Sequence, residues 1–390
     1  MPFLGSPNFT HLPINASAAG CAGRLPQIGA GKPPRVISGQ ASYAGGGAVL
    51  TETGRAEEAV VAEVAWSPRA IWTLFEPVHA VTYFAPEARA AFEAAGLRGF
   101  WRGYFAGRAA PLGPVGPEVV TASFYNFAPA MVERAIPAVW ALAPPATALQ
   151  ARQDGANVAL RRLLAGLEKE TVLAAERLGQ VTAGLDCGGR VLAAANTALP
   201  QPDSTLAEDD GALARLWQAA TILREHRGDG HFAALTAAGT DGCEVLVLRC
   251  DLNMRREDLQ PIRGWTDEQW DAARARLTER GLIRPDGEIT AAGREAYAAV
   301  EEATDRAAAR PWQQIGADAT TEAAEALLPL AQACAREVPY ANPIGVPPPG
   351  PAAGQAGGVI ALGLLRWGRG RREGRASSGP SPTAACGARR

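Results

Sequence analysis

The sequence predicts a mainly α-helical protein made of two related helical halves between disordered termini. Three observations carry this. From Trp66 onward apolar residues recur at helical spacing, as in Trp72, Phe75, Val78 and His79. The boundaries of these stretches hold capping residues, and prolines where a first helical turn tolerates them. An Ala-Ala-Gly-x-x-Gly run occurs twice, in residues 91–104 and 234–247, each time after a helix opened by a tryptophan, Trp72 and Trp217. A duplication explains that repeat.

Length and composition bound the rest. A chain of 390 residues, 47% hydrophobic and 20% charged, buries a core with ease and holds two or three domains. Residues 345–390 carry seven arginines and one glutamate, whereas the whole chain is −2, so a basic tail follows an acidic body. The six cysteines are scattered without a CxxC pair, which describes neither a disulfide framework nor a zinc site, and they read as reduced thiols. The longest apolar run, near residues 357–365, falls far short of a membrane span. The N-terminus lacks the basic and apolar regions of a signal peptide. A cytoplasmic protein with no membrane partner is expected.

Taken in order, residues 1–65 are rich in Gly, Ala, Pro and Ser without a sustained period and are expected to be disordered. The N-terminal half, residues 66–200, starts with Ser67 as N-cap and Pro68 at the first helical position, and Pro77 predicts a kink or break. Pro86 opens a second helix closed by Gly96, and Phe100, Trp101, Tyr104 and Phe105 mark a third. One helix is expected over residues 128–140, another over 150–179, and a short one within 181–198 after the Gly188-Gly189 break. Residues 200–210 read as a loop, 211–316 as the second half, 317–344 as a C-terminal helix and 345–390 as a disordered basic tail.

The best-marked stretch is 264–308. Thr266 with Gln269 forms a capping box, Trp270, Ala273 and Leu277 make a buried face, and Gly281 ends the helix. Asp286-Gly287 is a hairpin turn, and Thr290 caps a further helix. The run Leu277 to Ile283, the turn at 284–287, and Ile289-Thr290-Ala291-Ala292-Gly293-Arg294 resemble the C-terminal half of a MarR-type winged helix. That resemblance implies a recognition helix at 266–280, a small β-wing, and double-stranded DNA as partner. More broadly, residues 69–316 resemble an uncharacterised actinobacterial helix-turn-helix family through the runs FEPVHAVTYFAPEAR, ASFYNFAPAMVERAIPAVW and LREHRGDGHFAAL. Arg274, Arg276, Arg280 and Arg284 are the DNA-contact candidates. Acids at Asp267, Glu268 and Asp271 stand where a groove-entering helix would present donors, and residues 217–310 hold 13 arginines against 17 acids.

The polar stretch 224–231 packs two histidines, two arginines and two acids into eight residues. Two readings stand. In one, His79, Tyr83, Arg224, His226, Arg227, Asp229 and His231 line a small-molecule pocket between the halves. In the other, preferred on turn chemistry, residues 225–230 form a tight inter-helix turn with Asp229 as N-cap of a helix over 231–238. Glu76, Tyr104, Tyr125 and Asn126 are further polar or aromatic residues of the first half, and an aromatic stripe at helical spacing reads as core. No GxSxG, Walker or GxGxxG context and no Cys/His pair is present, so no catalytic set, metal site or cofactor is assigned. The expectation is a helix-turn-helix, MarR-like regulator that senses a small molecule. The alternative is a ligand-binding protein or enzyme whose winged helix no longer touches DNA.

Overall fold

The computed structural model describes residues 66–200, 208–250, 252–339, 342 and 344–350. The disorder expected for 1–65 and for the tail past 350 lies outside these residues. Proline at the first helical position is the recurrent start signal: its missing N–H has no partner to lose there. It opens α1 (Pro68–Phe84), α2 (Pro86–Ala94), α4 (Pro117–Phe124), α5 (Pro129–Glu133) and α7 (Pro145–Leu163), while α3 (Phe100–Ala109) starts after Gly99. Ser67 caps α1 as expected, its hydroxyl accepting from the Ala70 amide at 3.1 Å.

Several expected boundaries shift. α1 runs as one helix across Pro77, with Leu74, Phe75, Val78 and Val81 buried on either side of the proline. The helix expected over 128–140 is divided into α5 and α6 (Val139–Leu142), with Pro137 between them. The long helix expected over 150–179 is two, α7 and α8 (Glu168–Thr182), parted at Gly166, whose φ of 86° no helix accepts. α9 (Val191–Thr197) follows.

α10 (Glu208–Ala237) is the axis of the molecule. It packs against α1, α7, α8, α9 and α14 (Ala291–Ile315), so it is apolar or buried around most of its girth rather than along one stripe. α15 (Ala317–Cys334) lies against α1 and α8. The largest apolar cluster joins Leu74, Val78, Leu160, Leu178, Trp217, Leu223 and Leu327, drawing on both sides of the 201–207 stretch. A second cluster, built on Phe105, Phe124, Phe127 and Ile136 of the α3–α6 region, also takes in Phe92 of α2, Ala148 and Ala151 of α7 and Leu192 of α9. A third joins α11 (Glu244–Cys250), α12 (Arg256–Arg263), α13 (Asp267–Glu279) and the start of α14 through Leu246, Leu259, Trp270 and Leu277.

The two Ala-Ala-Gly runs adopt the same helix end. Gly96 and Gly239 have φ of 87° and 62°, and the following amides, Leu97 and Thr240, reach back to the Phe92 and Leu235 carbonyls at 2.9 and 3.0 Å. The likeness is that of a capping motif, closing a helix of 9 residues in one case and 30 in the other.

The expected β-wing is not a sheet. Among the described residues the chain is helical, and after α13 a single antiparallel bridge, Ile283 to Ile289, closes over the turn at Arg284 and Gly287. Gly281 ends α13 and Thr290 already caps α14, so too few residues remain for a ladder.

Candidate functional site

The 224–231 stretch lies inside α10 and does not turn. Gly228 and Gly230 sit mid-helix, Asp229 is not the N-cap of a helix over 231–238, and the tight turn expected there is overturned. Helical geometry then sends the expected pocket residues three ways. Thr221, Glu225 and Asp229, four apart, form one stripe: Thr221 meets His79, Glu225 meets Arg108, and Asp229 accepts the Ala193 amide at 3.0 Å. Arg227 and His231 meet α14, Arg227 pairing with Asp305 at 2.9 Å and His231 bonding Thr304 at 3.0 Å. His226 belongs to the α9 side, its carbonyl accepting from Arg190 at 2.6 Å. The structure therefore gathers His79, Tyr83 and Arg224 and disperses His226, Arg227, Asp229 and His231.

What surrounds those three is a buried charge cluster. Arg108 of α3 forks onto Glu225 with two bonds of 3.0 and 3.1 Å, and Arg224 adds a third at 2.8 Å. Arg224 also lies 3.6 Å from Glu76, whose other oxygen accepts from the Trp72 indole at 2.8 Å. Arg152 donates to the Gly107 carbonyl and to Asn196, 5.2 Å over the Trp217 ring. Burial would raise Glu225, but Arg108 and Arg224 outweigh it and hold the carboxyl at about 2. Glu76, with a weaker partner, is raised by burial. Burial likewise pulls His79 well below the ordinary imidazole value, helped by Arg224, so His79 is neutral.

Tyr104 and Tyr83 flank this cluster, their rings 5.2 Å apart. Burial alone would raise Tyr104, yet Arg108, Arg263 and Arg224 bring it below the ordinary phenol value. Tyr83 is pushed the other way, up, by burial. Arg108, Arg152 and Arg263 did not emerge as site residues from the sequence. Arg108 left one trace, a lone charge inside the apolar run Tyr104-Phe105-Ala106-Gly107-Arg108-Ala109-Ala110.

The second candidate surface is α12–α13. Three residues separate the helices: Gly264, left-handed at φ 77°, then Trp265 and the cap Thr266. Thr266 and Gln269 form the expected capping box, with bonds of 3.2 and 3.0 Å. Trp270, Ala273 and Leu277 face inward as expected, leaving Asp267, Glu268, Asp271, Ala272, Ala275, Arg276 and Glu279 exposed. Of the DNA-contact candidates, Arg276 pairs with Glu244 at 2.8 Å and with Asp241. Arg280 pairs with Glu244 at 3.2 Å and donates to the Gly239 carbonyl at the end of α10. Arg284 pairs with Glu288 at 2.6 Å, and Arg274 lies beside Gly287. These side chains therefore divide between the α10–α11 junction and the turn.

Among the described residues no group of three or more His, Cys, Asp or Glu side chains could hold a metal, and no helix is long and apolar enough to cross a membrane. No curated protein and no solved structure matches the chain. A family model does: residues 68–340, from the first residue of α1 to beyond the end of α15, match the model described as "Helix-turn-helix family". With that match covering well over half its length, and a three-residue turn joining α12 to a capped α13, this chain belongs to that helix-turn-helix family.

Proposed function

We propose that the chain is a regulator that binds double-stranded DNA through α12–α13 and senses a small molecule within its helical body. The single observation that carries the DNA half is the α12–turn–α13 unit, with Gly264 supplying the left-handed turn and the apolar face of α13 seated on α11 and α14. The order of parts after it, α13, the Ile283–Ile289 bridge and α14, supports the finer MarR-like reading. Arg274, Arg276, Arg280 and Arg284 are the phosphate-binding residues of this reading. The side chains of Arg276, Arg280 and Arg284 keep 46%, 37% and 58% of their surface exposed despite their pairs.

The test is fluorescence anisotropy of the full chain with random-sequence duplex at low and physiological salt, repeated with a chain ending at Gly350 to remove the basic tail. Salt-dependent binding by both is expected. Changing Arg274 and Arg284 together to Ala is expected to flatten the logarithmic salt dependence by about 2, roughly one for each phosphate no longer neutralised. Absence of binding by the shorter chain at low salt overturns the DNA half. It would favour the second reading, a ligand-binding protein or enzyme whose helix-turn-helix unit no longer meets DNA. The exposed acids Asp267, Glu268 and Asp271 on α13 support that reading.

A further inference from the structure

The two Ala-Ala-Gly caps are one point of a longer correspondence between the halves. α1 and α2 together span 68–94 and close at Gly96, and α10 spans 208–237 as one helix and closes at Gly239. α3 is followed by α4, a short turn and α5–α6, as α11 is followed by α12, a short turn and α13. α7 and α8 part at Gly166, φ 86°, and α14 and α15 part at Gly316, φ 85°. The packing repeats with the order, and it is reciprocal. α1 lies against α15 as α10 lies against α8, and α3 meets α6 and α7 as α11 meets α13 and α14. Two further contacts join elements to their own counterparts, α1 to α10 and α8 to α15. This is the form of a two-fold interface between identical subunits, here with both copies in one chain.

Under that correspondence α4–α5 is the counterpart of α12–α13. Both first helices have 8 residues. Each is closed by a residue of positive φ, Tyr125 at 33° and Gly264 at 77°. Their amides reach back to the Thr121 and Gln260 carbonyls at 3.1 and 3.0 Å. Among the described residues Tyr125 is the one non-glycine with a positive φ, a backbone that local preference disfavours. The two turns also meet. The Ala128 amide donates to the Arg263 carbonyl at 2.9 Å, and the Trp265 indole to the Asn126 carbonyl at 3.0 Å. A Cβ on Gly264 would come 2.5 Å from that of Met131, so only glycine lets α5 approach this closely. Trp265 packs on the apolar clusters of both units. Their cations differ. Residues 129–142 hold one arginine, Arg134, beside the acid Glu133, whereas α13 and the turn after it hold Arg274, Arg276, Arg280 and Arg284. Neutralising phosphates takes cations, and the α5–α6 surface has almost none to give.

We propose that α4–α5 is a second helix-turn-helix unit that has become the internal partner of α12–α13. It braces the α12–α13 turn and leaves DNA to that unit, so one chain occupies one duplex site without a second copy. This rests on the DNA half of the function above, and the brace is tested without DNA so that the two fail separately. Trp265→Phe keeps an aromatic ring and removes the bond to Asn126. Hydrogen exchange of the full chain is expected to rise over 117–133 as well as over 256–279. Met131→Ala loosens the same joint from the other side and is expected to raise exchange over 256–279. A change confined to the unit that carries the substitution, or no change, overturns the brace. With random-sequence duplex, Arg134→Ala is expected to bind as the natural chain does, with the same salt dependence. A logarithmic salt dependence flatter by about one would place Arg134 on a phosphate and overturn the division between the units. Light scattering is expected to give one chain free and one chain on a short duplex, and a dimer of the chain in either state overturns the single-chain site. If no duplex is bound, the DNA reading and the single-chain site fall together, and the exchange result still decides the brace.

Discussion

Glu225 lies between two guanidinium groups, and with its side chain only 2% exposed no water can replace it. Glu225→Gln leaves Arg108 and Arg224 buried with half their compensation gone and is expected to cost about 3–5 kcal/mol in urea unfolding. A loss within error of zero would mean that the cluster is solvated. The buried titratable groups of α10 also set an acid limit. Burial pulls His226 and His231 down to about 4 from 6.5, so the unfolded chain takes up protons that the folded one refuses. Their contribution is complete above pH 6.5 and is lost as pH falls through 4. Glu225, held at about 2, extends the loss downward from 4.5. Asp229 opposes it: raised to about 6 by burial, it adds stability as pH falls from 6 to 3.8. With His79 also held down by burial and Glu76 also raised by it, three histidines against two carboxyls leave a net fall in melting temperature from pH 6.5 to 4, and His226→Gln is expected to make that slope shallower.

At the scale of the element, α10 puts its two mid-helix glycines to opposite uses. A Cβ on Gly228 would meet nothing closer than 3.9 Å, so Gly228→Ala is expected to stabilise the chain by about 0.5–1 kcal/mol through helix propensity alone. A Cβ on Gly230 would come 2.6 Å from Arg190 Nη1 and 3.1 Å from the Ala307 side chain. Arg190 cannot give way freely, because it ties α10 to α14 through the His226 and Ala307 carbonyls. Gly230→Ala is therefore expected to destabilise by about 1–3 kcal/mol, and the pair of melting curves checks both signs. The same residues explain why this stretch reads as a turn in the sequence. Gly-Asp-Gly is strong local turn chemistry, and only the approach of α9 and α14 gives the glycines another purpose.

At the scale of the molecule, the core does not close without α15. Ala323, Ala324, Leu327, Leu330 and Ala331 are buried in the same cluster as Leu74, Val78 and Trp217. Removing Leu327 and Leu330 alone, at about 2–5 kcal/mol each, costs an amount comparable with the roughly 5–15 kcal/mol that typically separates folded from unfolded domains, before the buried alanines are counted. A chain ending at Gly316 is expected to lose cooperative melting in circular dichroism; retention of the full-length melting temperature would show that α15 is an appendage. The family match reaches residue 340 and so includes this helix, whereas the resemblance visible in the sequence stopped at 316.

The boundary between what was legible and what was not follows the range of the forces involved. The mainly helical class, the starts at Ser67-Pro68 and Thr266, the Gly281 stop and the helix-turn-helix kinship could all be read from the chain. Caps and proline starts are satisfied within three or four residues. The continuity of α10, the reduction of the wing to one bridge, and the Arg108–Glu225 cluster could not. The last joins residues 117 apart in the chain, and the free energy of pairing or burying a charge depends on which distant neighbour arrives. Arg276 and Arg280 show the same limit: sequence placed them on one helix, and only the folded chain turned them toward Glu244 and the end of α10.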